Sequence, residues 1–139
     1  MGKRVYAARP KIRVRLGPPR NSKKKWRVEV VDTGKVVEFG QAGASDFTIH
    51  GDPERMVSYL VRHAGNVPDD LKRRDPNDRE KIIERALRVG RSRRERWGAD
   101  DLARAVESAG FWSRWLLWSL PDMAKAKALI HKRFDIVFV

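Results

Sequence analysis

The chain has 139 residues, a formal net charge of +13 and no cysteine. Its length predicts one domain, because domains cluster near ~100–150 residues. The lack of cysteine excludes disulfide scaffolds, thiolate metal sites and cysteine nucleophiles, and no apolar run approaches the ~20 residues of a membrane span. We therefore expect a basic, intracellular globular protein.

The first 25 residues form a basic N-terminal segment. They contain ten basic side chains and no acid, whereas residues 26–139 carry a net charge of only +3. We predict an extended arm over 1–25, with an edge strand at 11–16 where basic and apolar residues alternate. Such arms neutralise phosphates or bind acidic protein surfaces. The predicted partner-binding residues of the arm are Arg4, Arg9, Lys11, Arg13, Arg15, Arg20, Lys23, Lys24 and Lys25.

The rest of the chain predicts an α+β fold. Two alternating β-branched runs at 25–31 and 35–39 surround a Gly-containing turn and predict a β-hairpin. Asp-Pro pairs at 52–53 and 75–76 predict helix starts. Further helices are expected at 100–109, 111–120 and 122–133, and a strand at 134–139. We expect a small antiparallel sheet, formed by the hairpin and the C-terminal strand, packed with four or five short helices. Residues 26–139 form the single domain, with a charged helical insertion at about 71–96.

An aromatic helix is predicted near the end of the chain. At ~100° per residue its rings occupy both sides of the helix, and Arg114 is its only charge. Two interpretations stay open: core packing, which aromatic residues generally prefer, and an exposed patch that binds a partner. The predicted partner-binding residues of this helix are Phe111, Trp112, Arg114, Trp115 and Trp118.

Enzymatic motifs are absent from the sequence. The three histidines, His50, His63 and His131, lack the short HxH or HxxxH spacing of metal sites. No G-x-S-x-G, G-x-x-x-x-G-K or G-x-G-x-x-G motif occurs. We therefore predict a protein with no catalytic residues, no metal ligands and no cofactor. The charged side chains of the helix over 52–63 are expected to form a solvated face.

Several segments together resemble one protein family. They are VVEFGQ at 36–41, SDFTIH at 45–50, DPER at 52–55, Tyr59, Arg62-His63 and AGFWSRWLLW at 109–118. The family consists of small, largely uncharacterised proteins of large nucleocytoplasmic double-stranded DNA viruses. Its members typically show an SDYTIHKDPERKxRYIxRH helix entry and a GFWSRWLLWNKP block. This chain departs from that pattern at Ser119-Leu120, in the insertion and in the basic arm.

The resemblance implies a viral, non-enzymatic protein. We expect a minor capsid or cement protein of the virion, which passes through the host cytoplasm or nucleus during assembly. Its partners would be other capsid proteins, bound by strand addition of the arm and by the aromatic helix as a hot spot. The alternative is a non-specific nucleic-acid-binding protein that uses the arm. Membrane contact ranks last, because the aromatic helix lacks a wide basic face.

Overall fold

The computed structural model describes residues 11–65, 67–72 and 78–139. The strands are β1 (Ile12–Gly17), β2 (Lys24–Val30), β3 (Val36–Gln41) and β4 (Ile136–Phe138). The α-helices are α1 (Phe47–His50), α2 (Pro53–Ala64), α3 (Asp69–Lys72), α4 (Arg79–Ala86), α5 (Leu102–Ala105), α6 (Ala109–Trp112) and α7 (Met123–Phe134). A 3₁₀ turn covers Ala99–Asp101, and a π-helical turn over Ser113–Leu117 continues α6. The predicted α+β class is confirmed.

The sheet is mixed, with the strand order β3-β2-β1-β4. The predicted hairpin of β2 and β3 is confirmed, and its turn closes where the Gly34 amide donates to the Val30 carbonyl at 2.8 Å. The prediction of a wholly antiparallel sheet is wrong for one pair, because β4 runs parallel to β1. A parallel pair requires a long crossover, and the entire helical part of the chain supplies it.

The predicted extended arm is part of the fold from Ile12 onward. Strand β1 pairs with β2 on one side and β4 on the other, so it is not an edge strand. Its Val14 side chain is fully buried. The predicted domain boundary at residue 25 is therefore wrong, because β1 and the start of β2 belong to the sheet. Arg4 and Arg9 lie outside the described residues.

Seven helices occur in the described residues, where four or five were expected. One cause is Gly51, whose left-handed backbone (φ 62°) ends α1 just before α2 begins. The Asp-Pro start of α2 is confirmed, since the Asp52 carboxylate accepts a hydrogen bond from the Glu54 amide at 3.0 Å. The second predicted start, at 75–76, lies outside the described residues.

Two hydrophobic clusters form the core. The first packs the sheet against α6, the π-helical turn and α7. The second lies between α2 and α4, and the insertion at 71–96 supplies four of its buried side chains: Leu71, Ile82, Ala86 and Val89. Trp118 packs against both clusters. The insertion is thus an integral part of the core.

The aromatic helix lies inside the protein. Phe111, Trp112 and Trp115 are each 0% exposed. Both indole N–H groups are hydrogen-bonded: Trp112 Nε1 donates to the Val106 carbonyl and Trp115 Nε1 donates to the Trp97 carbonyl, each at 2.8 Å. For these three residues the predicted exposed patch is wrong and core packing is the correct alternative, whereas Trp118 is partly exposed. The reason is that the sheet and α7 cover one side of the helix while the second cluster covers the other.

Arg114, the one charge on this helix, is also fully buried. Its guanidinium donates to the carbonyls of Ala86 (2.8 Å), Val89 (3.1 Å) and Trp118 (2.5 Å). It lies 4.4 Å from the centroid of the Trp115 ring. Burial lowers the pKa of Arg114 to about 9. Its role is to tie the end of α4 to the end of the π-helical turn, not to bind a partner.

Candidate functional site

Five rings form a continuous column through the second core cluster. Phe47, His50, Trp118, Tyr59 and His63 follow one another with centroid separations of 6.1, 5.3, 4.7 and 4.3 Å. Such offset and tilted contacts between rings are favourable beyond the area they bury. The five residues come from three separate segments, 45–50, 59–63 and 109–118, which converge in space on one structural element.

The column is anchored to the hairpin by a buried ion pair. Lys25 Nζ lies 2.5 Å from the Asp46 carboxylate, and the two side chains are only 13% and 3% exposed. Asp46 also caps α1, because it accepts hydrogen bonds from the amide and the hydroxyl of Thr48. The charges of this carboxylate and of the Lys25 ammonium compensate each other inside the protein. Lys25, predicted to bind a partner, therefore has an internal structural role.

A cleft of about 570 Å³ opens between the end of the hairpin and α2. Ser113 and Leu117 of the π-helical turn line it, together with Trp118, which follows the turn. Two glycines allow this close packing. Gly40 has φ +76°, and a Cβ there would lie 3.0 Å from Leu117 Cδ1. A Cβ on Gly110 would lie 2.7 Å from Glu95 Oε2. Larger residues at either position would shift the walls of the cleft.

The inner end of the cleft is polar. His63 Nδ1 lies 3.2 Å from Glu95 Oε1, which permits an ion pair when the imidazole is protonated. The Tyr59 hydroxyl is buried without a hydrogen-bond partner. Burial, and secondarily the Glu95 charge, raises the pKa of Tyr59, so the hydroxyl keeps its proton. Sequence reasoning missed Glu95, because its position relative to His63 depends on contacts between distant segments.

Three cations line the cleft with exposed side chains: Lys24, Arg55 and Arg62. Within the described part of the chain, none of them forms an ion pair or a side-chain hydrogen bond. Of the two acids at the cleft, Asp46 is paired with Lys25, and Glu95 lies beside His63, which is charged only when protonated. One remaining acid does not neutralise three cations. The cleft therefore carries uncompensated positive charge. Of the predicted arm residues that the structure describes, only Lys24 and Lys25 line it.

The other described arm residues lie elsewhere. Arg13 pairs with Asp32 at 2.5 Å and Arg15 with Glu29 at 3.3 Å, so both charges are compensated within the protein. Exposed pairs of this kind contribute only ~0–1 kcal/mol to stability. The side chains of Lys11, Arg20 and Lys23 are exposed and do not line the cleft.

The described ranges contain no group of three side chains that could hold a metal ion. Among the helices of those same ranges, none is long and apolar enough to cross a membrane. The fold and the cleft define a small α+β protein with a cationic cleft beside an aromatic column. Over residues 14–63 the chain is similar to DUF5754, a family of unknown function. This range runs from β1 to α2 and includes every ring of the column except Trp118. No curated protein and no solved structure matches the chain.

We expect the stability of the protein to fall between neutral and mildly acidic pH because of His50. Its Nδ1 accepts a hydrogen bond from the Asp52 amide at 2.9 Å, while its Nε2 is buried without a partner. Burial, followed by the nearby Arg55 charge, lowers the pKa of His50 below 6.5. The unfolded chain therefore binds this proton more readily than the folded chain, and stability is lost as the pH falls below ~6.5.

Urea unfolding at about pH 7.5 and about pH 5.5 measures this dependence. His50→Gln should flatten it, whereas His131→Gln, a matched change on α7, should leave it in place. An unchanged pH dependence in His50→Gln would show that the effect arises from other groups.

Proposed function

We propose that this chain is a non-enzymatic nucleic-acid-binding protein. The observation that carries the proposal is the convergence on one cleft of Lys24, Arg55 and Arg62, none of which has an ion-pair partner among the described residues. Guanidinium groups match the geometry of phosphate oxygens and form charge-assisted hydrogen bonds with them. Nucleic acid presents such phosphates in an extended, closely spaced array.

The distribution of charge along the chain supports this function. Residues 11–139 contain 28 of the 31 basic residues together with all 18 acids. The excess of positive charge therefore belongs mainly to residues 11–139 and not to the first ten residues. Binding by phosphate neutralisation depends on such net charge and carries no sequence preference.

The salt dependence of oligonucleotide binding tests the proposal. The logarithm of the affinity should fall linearly with the logarithm of the salt concentration, by ~0.7 for each phosphate of a single strand that is neutralised. Fluorescence anisotropy of a labelled oligonucleotide measures it. Deleting residues 1–10 removes three cations and leaves β1 intact. We expect a shallower slope but persistent binding.

Two different results would contradict this proposal. An affinity that does not respond to salt would refute phosphate neutralisation. Complete loss of binding after the deletion of residues 1–10 would place the function in that segment instead of the fold. Deleting all of 1–25 is not a suitable test, because it removes a strand from the middle of the sheet.

A capsid-docking role is the second candidate, and an exposed apolar groove favours it. Ile49 is 66% exposed and lines this groove with Trp26 and Met123. The proposed virion location and the proposed capsid partners otherwise rest on the resemblance to viral proteins. Cross-linking mass spectrometry on purified virus particles tests this role. Cross-links from Lys24, at the edge of the groove, to capsid proteins would support it, and absence of the chain from the particle would refute it.

A further inference from the structure

We infer that the cleft accommodates one nucleotide of a single-stranded nucleic acid, with a phosphate among Lys24, Arg55 and Arg62 and a base against the ring of His63. This inference rests on the proposed function and specifies its site. It also predicts that the protein binds single strands more tightly than duplex, which phosphate neutralisation alone does not predict.

The shape of the site favours a single strand. A cleft of about 570 Å³ has the size of sites that enclose small organic molecules, a class that includes one nucleotide. Duplex DNA is read by protein elements that project into its grooves. This site is instead concave, with the hairpin on one side and α2 on the other. A base must therefore be unstacked from its neighbouring bases before it can enter the cleft.

The aromatic column provides a stacking surface at the cleft. Tyr59 covers one face of the His63 ring at 4.3 Å. The His63 side chain is nevertheless 39% exposed, so the column ends at solvent with this ring. Stacking of a base on an aromatic ring contributes ~1–3 kcal/mol and tolerates any base.

The site is also preorganised. Behind His63, the ring of Tyr59 is held in parallel contact with Trp118, with an interplanar angle of 5°. Glu95 Oε1 lies 3.2 Å from Nδ1 of the His63 ring. A surface that is already ordered loses little conformational entropy on binding. Gln41 and Ser113 line the same cleft and offer hydrogen-bonding groups to the bound nucleotide.

The phosphate part of the inference is tested with two double variants of equal charge. Arg55→Ala/Arg62→Ala removes two cations from the cleft. Lys125→Ala/Lys132→Ala removes two exposed, unpaired cations from α7. All four changes place alanine in a helix, where it is well tolerated. We expect the cleft variant to bind an oligo(dT) strand about 10-fold more weakly than the natural chain, and the α7 variant about 2-fold more weakly.

The base part is tested with a fully abasic strand of the same length. The natural chain should prefer oligo(dT) over the abasic strand. His63→Ala should abolish this preference, and His63→Phe, which restores a ring, should keep it. Persistence of the preference in His63→Ala would overturn the inference, because stacking would then occur elsewhere.

Two further outcomes separate this inference from the proposed function. Equal loss of affinity in the two double variants, or equal affinity for single strand and duplex, would overturn the inference while nucleic-acid binding stands. Failure of the natural chain to bind either strand or duplex would overturn both.

Discussion

Replacing Arg114 with methionine should lower the free energy of unfolding by about 3–5 kcal/mol. Methionine keeps an unbranched side chain against the Trp115 ring, so little packing is lost. It donates no hydrogen bond, however, and removes the guanidinium donor from the carbonyls of Val89 and Trp118, whereas the Ala86 carbonyl keeps the Val89 amide as a donor. Each buried acceptor that loses its partner costs ~1–3 kcal/mol.

Urea denaturation monitored by tryptophan fluorescence measures this loss. Arg114→Lys should fall between the two extremes, because an ammonium retains the charge but cannot match the fork of a guanidinium. Arg94→Met is the matched control, since the Arg94 side chain is exposed and unpaired in the described structure. Its effect should stay within ~0.5 kcal/mol. Equal stability of Arg114→Met and Arg94→Met would show that the freed carbonyls find other donors.

The features that were predicted correctly depend on a few neighbouring residues. The hairpin turn at Gly34 and the helix start at Asp52 each follow from local backbone preferences and a local hydrogen bond. Such signals are complete within four or five residues of sequence, which is why they are visible without a structure.

The features that were predicted wrongly depend on contacts between distant residues. The pairing of Ile12 with Ile136 places β1 inside the sheet, and no local pattern reveals a partner at the far end of the chain. Helical periodicity showed that Trp112 and Trp115 lie on different faces, but it cannot tell whether a face is covered by the protein or by a partner.

Some features of the cleft could be predicted from the sequence and others could not. Several of its residues lie in the segments that the sequence singles out, among them Tyr59, His63 and Trp118. Their assembly into a column was not visible, because it requires α2 to pack against the end of the π-helical turn. Which cations remain uncompensated was not visible either, because it depends on contacts between distant residues. Arg13 and Arg15 form ion pairs, whereas Arg62 forms none among the described residues.

Replacing Trp115 with alanine should destabilise the protein by about 3–5 kcal/mol, the usual cost of truncating a buried tryptophan. The ring is fully buried, and its Nε1 donates to the Trp97 carbonyl. The guanidinium groups of Arg114 and Arg133 lie 4.4 and 4.3 Å from its centroid. Truncation thus leaves a cavity, deprives the Trp97 carbonyl of this donor and removes one of the two aromatic rings that each arginine contacts.

The same substitution separates the two interpretations of the aromatic helix. If Trp115 bound a partner, Trp115→Ala would leave the melting temperature unchanged and abolish binding alone. The buried position predicts the opposite, a much lower melting temperature and loss of the near-ultraviolet circular dichroism of packed aromatic rings. Trp115→Phe, which retains one ring, should recover part of the stability because it fills much of the cavity. Recovery in this variant would show that packing inside the core is what the tryptophan provides.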